Sequence, residues 1–89
     1  MMQVRKREYW NNAEAERLPD AWRLTKVQDD RFVTAVCEVW AVEMGWDLRL
    51  QIEGRGLQMA ALCRSSREMV DRAEEWRAML EKGWEWRAL

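Results

Sequence analysis

The two cysteines are the most reactive side chains in this chain, and neither has the neighbours that catalysis needs. Cys63 precedes Arg64 and the start of a predicted helix, a position that can lower the pKa of a thiol. No histidine occurs among the 89 residues, so the usual base for a cysteine nucleophile is missing. We therefore expect Cys37 and Cys63 to be small buried residues, with a nucleophilic Cys63 as the alternative.

A joint role for the two cysteines is disfavoured by their positions in the predicted sheet. If Gly45 is at the centre of a tight hairpin, Cys37 lies near the Gly54 end of the sheet and Cys63 near the Trp46 end, about 20 Å or more apart at roughly 3.3 Å per residue. A disulfide needs Cα atoms within about 7 Å of each other, and a shared metal needs ligands equally close. The sequence predicts no disulfide, no metal site and no cofactor.

Acidic residues come in three close pairs, none of which completes a catalytic site. The pairs are Glu14 with Glu16, Asp29 with Asp30, and Glu74 with Glu75. Neighbouring helix residues do not face each other, and no third group complements them, so we expect a solvated surface. Gly54-Arg55-Gly56 lacks the strand–loop–helix setting of a phosphate-binding loop. We expect no catalytic residues and predict a protein that is not an enzyme.

Tryptophan is the most unusual feature of the composition, with seven among 89 residues. Trp46 and Trp76 fall on faces predicted to be buried, while Trp84 and Trp86 either fold back over the sheet end or add to an interaction patch. If the hairpin at Gly45 has a two-residue turn, Trp40 points away from the core. A shift of one residue in the turn would reverse this orientation. An aromatic, apolar and arginine-bearing face of this kind is typical of protein interfaces. Its predicted members are Trp40, Val42, Arg49, Gln51, Ala60, Leu62 and Arg64.

The overall composition is that of one small globular domain. Hydrophobic residues make up 48%, charged residues 35%, and the net charge is -1, which argues against disorder and against a general nucleic-acid coat. Arg5, Lys6 and Arg7 form either a solvated end or a basic arm. No apolar run approaches the roughly 20 residues of a membrane span, and no export signal is recognised. We predict a cytoplasmic protein with reduced thiols and no membrane contact.

Alternating apolar and polar residues predict strands at 21–27, 33–43, 46–52 and 57–63. Trp46, Leu48, Leu50 and Ile52 alternate with polar residues, which is the clearest signal of a strand with one buried face. In the last strand, the apolar residues expected on one side are Leu57, Met59, Ala61 and Cys63. Residues 1–20 form a polar segment with an optional short helix over 13–18, which Pro19 would end.

One helix is predicted after the last strand, over residues 66–82. Ser65 and Glu68 form a capping box at its start, and Lys82 with Gly83 closes it. The apolar stripe of this helix is Met69, Ala73, Trp76 and Leu80, widened by Val70 and Met79. Since neither the sheet nor the helix can bury its apolar side alone, the helix must lie across the sheet. The predicted fold is α+β: a three- to four-stranded antiparallel meander with one C-terminal helix packed on one face, within a single domain of residues 21–89.

Three segments of the chain follow a shared pattern. They are Gly45-Trp46-Asp47-Leu48-Arg49-Leu50, then Leu62-Cys63-Arg64-Ser65, then Trp76-Arg77-Ala78-Met79-Leu80-Glu81-Lys82-Gly83-Trp84. They resemble a family of short, uncharacterised bacterial proteins with a Gly-Trp-acid-Leu-Arg-Leu strand, a Val-Cys-Arg-Ser strand end and a helix closing on Glu-Lys-Gly-Trp. Leu62 stands where valine is usual, and the resemblance covers roughly residues 36–84. It implies a bacterial, cytoplasmic origin and no particular activity.

The strand at 33–43 is apolar on both sides, and a chain this small cannot bury all of it. We therefore expect a binding or assembly module, most simply a homo-oligomer such as a homodimer joined through its sheet, with a different protein partner left open. The alternative is a nucleic-acid-binding module, in which Arg49, Arg55 and Arg64 contact DNA and Trp40 stacks on a base. An enzyme that uses Cys63 is a third hypothesis.

Overall fold

The computed structural model describes residues 15–83. Its elements are four strands, β1 (Glu16–Gln28), β2 (Arg31–Val42), β3 (Gly45–Ile52) and β4 (Gly56–Cys63), and one helix, α1 (Ser66–Glu81). Each strand pairs antiparallel with the next along the chain, so the sheet order is β1-β2-β3-β4. The predicted α+β meander with a C-terminal helix is therefore confirmed. No helix within residues 15–83 is long and apolar enough to cross a bilayer.

β1 begins earlier than predicted and runs through a proline. Residues 16–18, placed in an optional helix by the sequence, pair with β2 instead, so that part of the prediction is wrong. The pairing is interrupted between Leu18 and Trp22. This irregularity allows Pro19, which has no amide hydrogen, to lie within the strand. Residues 1–14, which include Arg5 to Arg7, lie outside the described part of the chain.

Two short turns determine which side chains share a face. Asp29 and Asp30 connect β1 to β2 with positive φ angles of 53° and 63°. Positive φ at both residues is what a two-residue turn needs to match the right-handed twist of the strands. Val42 pairs directly with Gly45, so the turn between β2 and β3 also has two residues. This is the turn length on which the orientation of Trp40 depends, and it places Trp40 on the side opposite the helix.

The hydrophobic core lies between the sheet and α1. The residues of β3 at even positions point to the helix, and Leu48, Leu50 and Ile52 are buried there, as predicted. Trp76 is also buried, and Trp46 is partly buried against the same cluster. The helix residues Ala73 and Leu80 complete the contact.

The ends of α1 follow the predicted capping residues with one difference. The amide of Glu68 donates to the Ser65 hydroxyl at 3.1 Å, as in a capping box. The Glu68 carboxylate, however, accepts from the amide of Arg64 at 2.8 Å rather than from that of Ser65. Lys82 is the C-cap residue, and Gly83 follows it, as predicted.

Val70 does not widen the buried stripe of α1, contrary to the prediction, because its side chain is 51% exposed. It borders an open groove of about 360 Å³ between α1 and the irregular part of β1. Pro19 and Ala21 line the opposite side of this groove. At Val70, this groove therefore separates the helix from the irregular part of β1.

Candidate interaction surface

The face of the sheet opposite α1 contains most of the side chains grouped by the sequence. Directly paired residues of neighbouring strands point to the same face. Trp40 pairs with Asp47, which pairs with Leu62, and Arg49 pairs with Ala60. Val42 lies two residues beyond Trp40 on the same strand and therefore on the same face. The predicted orientation of these strands is confirmed.

Gln51 and Arg64 complete the predicted set. Gln51 is half-buried and lies on the open face, two positions along β3 from Arg49. Arg64 is exposed, but it follows the last residue of β4 and its amide bonds to the N-terminal turn of α1. The structure therefore places Arg64 at the helix start, beside the sheet face rather than on it.

Trp40 is on the predicted face but is not exposed there. Its side chain is only 4% accessible. Its indole nitrogen donates to a Glu38 carboxylate oxygen at 3.1 Å, and the Arg17 guanidinium carbon lies 5.7 Å from the ring centroid. Arg17 is held in turn by Asp20 and by Glu38, the latter at 3.6 Å. Charged side chains therefore surround Trp40. Its ring cannot stack on a base or on a partner protein unless these side chains are displaced.

Arg49 is likewise engaged within the sheet. Its Nε lies 3.2 Å from Oδ2 of Asp47, which is itself buried. Burial raises the pKa of the Asp47 carboxyl, and the hydrogen bond and charge of Arg49 oppose that rise. Removing Arg49 from this contact would leave a buried carboxylate without its charge partner, so the side chain is poorly placed to bind DNA phosphates.

The exposed apolar side chains of the open face lie in two places. Phe32 and Val27, paired at the β1–β2 hairpin, are 79% and 62% exposed, and the second group belongs to β4. Leu57 is 46% exposed and Leu62 is 38% exposed, with Ala60 also exposed between them. Leu57 was predicted to lie on the same side as Met59, which is wrong. The pairing shifts by one residue here, so that Met59 pairs with Leu50 but Leu57 pairs with Gln51 on the open face.

β4 is an edge strand with few of the features that usually protect an edge, since it has one irregularity, at Gln58, but no charge and no proline. Among the strands of residues 15–83, only β3 pairs with it. Its eight residues, Gly56-Leu57-Gln58-Met59-Ala60-Ala61-Leu62-Cys63, contain no charge and no proline. Natural proteins protect edges with charged side chains, prolines, bulges or a covering element. Alternation of apolar residues indicates the faces of a sheet but not its edges. The uncharged run in the last strand is the sequence signal that could have indicated this edge.

The opposite edge of the sheet, β1, carries charges and a proline in addition to an irregularity. Its pairing with β2 is irregular between Leu18 and Trp22, and Pro19 lies within the irregular part. Five of its thirteen residues are charged, namely Glu16, Arg17, Asp20, Arg23 and Lys26. Each edge of the sheet therefore has one irregularity, and the edges differ in that only β1 also carries charges and a proline.

The cysteines are free and buried, in agreement with the simpler of the two predictions. Burial raises the pKa of Cys37 to about 12, and burial also raises the pKa of Cys63. The lowered pKa that a nucleophilic Cys63 requires is not found, because the desolvation of the thiol dominates.

The separation of the two cysteines is smaller than predicted. Cys37 pairs with Leu50 and Cys63 pairs with Trp46, which places them two strands and four residues apart. Strand spacings of about 4.8 Å and residue rises of about 3.3 Å put their Cα atoms roughly 16 Å apart, still too far for a disulfide. Residues 15–83 contain no group of three or more acidic, cysteine or histidine side chains arranged to hold a metal.

No family model, curated protein or solved structure matches this chain. The resemblance of residues 36–84 to a bacterial family consequently stays a prediction. The geometry of the sheet and its two edges is the basis for assigning a function.

Proposed function

We propose that this protein is a small, non-catalytic assembly module that joins a second copy of itself through its sheet. The observation that supports the proposal is the contrast between the edges: β4 has no charge and no proline and pairs regularly over Met59 to Cys63, whereas β1 is charged and contains Pro19. Strand addition at an open edge gains main-chain hydrogen bonds without requiring any special side chain. Because natural proteins protect edge strands against unwanted pairing, the less protected β4 edge is best explained as the one that binds another strand.

We propose that this protein is located in the cytoplasm. Two free cysteines that are both buried suit a reducing compartment, where thiols stay unpaired. The resemblance to a family of short bacterial proteins supports the same location.

The area that pairing can bury determines how strong the association should be. Leu62 would lose solvent contact on pairing, but a single pair of short strands buries far less than the roughly 800 Å² per partner of a standard interface. We therefore expect a weak, concentration-dependent dimer with a dissociation constant in the micromolar range or above. A different protein that adds a strand to β4 would use the same edge.

Nucleic-acid binding receives less support from the same geometry. The proposed stacking residue, Trp40, is buried beneath charged side chains, and Arg49 is paired with a buried carboxylate. Arg55 and Arg64 lie at opposite ends of β4, so they form no continuous basic track.

Sedimentation equilibrium tests the proposal directly. Between about 10 µM and 1 mM, a range that brackets weak dissociation constants, the mean mass should rise from 10.7 kDa toward twice that value. Ala60→Lys should keep the mass near that of the monomer, because a charge on the open edge opposes strand pairing. Ala78→Lys adds the same charge at an exposed helix position and should associate like the unmodified protein.

A wild-type protein that stays monomeric at the highest concentration would overturn the proposal. Equal association of Ala60→Lys and the unmodified protein would also count against β4 as the contact. Binding to a duplex oligonucleotide at low salt, where phosphate contacts are strongest, would favour the nucleic-acid alternative.

A further inference from the structure

We infer that two copies pair their β4 strands antiparallel about a two-fold axis at Ala61, forming one eight-stranded sheet. This inference rests on the proposed function and specifies its interface. A two-fold axis perpendicular to a sheet maps each face onto itself, so both α1 helices would lie on the same side. The open faces of the two copies would then be continuous.

The register follows from the irregularity in β4. Met59 to Cys63 pair regularly with β3, whereas the pairing shifts between Met59 and Leu57 and leaves Gln58 as the extra residue. Regular backbone is needed on both strands of a new ladder. The regular five residues are symmetric about Ala61, so this residue lies on the axis when all of them are used.

This register brings together side chains that suit each other. On the open face, Leu62 of each copy lies opposite Ala60 of the other, and both residues are exposed in the single chain. On the helix face, Met59 lies opposite Cys63. No pair contains a charge, and the next residues outward, Gln58 and Arg64, are polar and can stay solvated.

A shift of the axis by one residue toward Gln58 fits less well. With Ala60 on the axis, Leu62 would lie opposite Gln58, within the irregular part of the partner strand. The exposed leucine would then face a polar amide, and one end of the ladder would lose its hydrogen bonds.

Disulfide trapping tests this register. Residues directly opposite in an antiparallel pair have Cβ atoms about 4.5–5.5 Å apart, whereas diagonal residues are about 7–8 Å apart, which is too far for a disulfide. Ala61→Cys should form a covalent dimer under mild oxidation, several-fold faster than Ala60→Cys. Ala78→Cys, on the exposed side of α1, should stay monomeric. The native Cys37 and Cys63 are buried and provide a low background.

The possible results separate the register from the function. Faster trapping of Ala60→Cys than of Ala61→Cys would overturn the axis at Ala61 and leave assembly through β4 intact. No trapping at either position in a protein that sediments as a dimer would overturn β4 pairing but not self-association. A monomer by mass would overturn both.

Amide hydrogen exchange provides a second measurement that needs no substitution. The register predicts that the alternate amides of Met59 to Cys63 that point away from β3 exchange more slowly as the protein concentration rises, while the amides of β1 do not change. Concentration-independent exchange throughout β4, under conditions where the mass is that of a dimer, would refute the pairing.

Discussion

Gly45 is the position where a single methyl group should disturb this fold most. It begins β3 with a φ angle of 145°, in the region that favours glycine. A Cβ atom added there would lie 2.1 Å from the carbonyl oxygen of Cys63 and 3.1 Å from Cα of Arg64. Both contacts are with backbone, so no side chain can rotate away. Gly45→Ala must therefore displace the junction between β4 and the start of α1.

The expected cost has two parts. A non-glycine residue in such a backbone conformation costs about 1–3 kcal/mol. Displacement of the end of β4 adds roughly 2 kcal/mol through disturbed packing near Trp46 and Cys63, for a total of about 3–5 kcal/mol. A domain of 89 residues has a total stability of about 4–13 kcal/mol, so the variant should be folded marginally or not at all.

Gly54→Ala is the matched control. Gly54 also has a positive φ, 87°, but no atom lies within 4 Å of its added Cβ. Its cost should therefore be the backbone part alone, about 1–2 kcal/mol. The difference between the two variants reports the contact with the Cys63 carbonyl together with the difference in backbone strain between φ angles of 145° and 87°.

Urea unfolding followed by tryptophan fluorescence measures both variants. Gly45→Ala should be less stable than Gly54→Ala by about 2 kcal/mol or more, which corresponds to at least about 8 °C in Tm for a domain of this size. Equal stabilities would refute the close approach of β3 to the end of β4. A variant of Gly45 too unstable to purify would support the prediction only if Gly54→Ala purifies normally.

Three further predictions concern hydrogen bonds and titration. Trp22→Phe removes the donor that bonds the Ala73 carbonyl at 2.7 Å, and should lower the free energy of unfolding by about 1–2 kcal/mol in urea; no change would refute a role for this bond in holding β1 to α1. The native state keeps the Cys37 proton to a pKa of about 12, above the ordinary 9.0, so stability should fall as pH rises from 9 toward 12; a Cys37→Ala variant with the same fall would contradict this cause. Burial raises the pKa of Asp47 in the native state above the ordinary 3.8, so ionisation of this carboxyl lowers the stability of the wild type as pH rises above 3.8. The stability of Asp47→Asn relative to wild type should therefore improve from pH 3 to pH 7 in thermal melts, and a constant difference would argue against it.

Local patterns in the sequence were enough to predict the main elements. The alternation from Trp46 to Ile52 predicts a strand with one buried face, and the structure buries those residues beneath α1. Ser65 predicts the start of the helix because an N-cap side chain acts within three residues of its own position. These features depend on near neighbours in the chain, which a single sequence displays.

The candidate surface was predicted only in part. The two-residue turn before Gly45 was correctly used to place Trp40 opposite the helix. The burial of Trp40 was not foreseen, because it depends on Arg17 and Glu38, which approach the ring from another strand and from two residues away. Side-chain packing of this kind needs three-dimensional positions rather than spacing.

Strand alternation, hairpin turns and helix caps can be recognised in this protein from short stretches of sequence. Three features appear only in the folded chain: β1 continues through Pro19, Gly45 lies against the Cys63 carbonyl, and β4 is at the edge of the sheet. Propensity, periodicity and capping act over a few residues, whereas edges and close backbone contacts arise between segments that are distant in the chain.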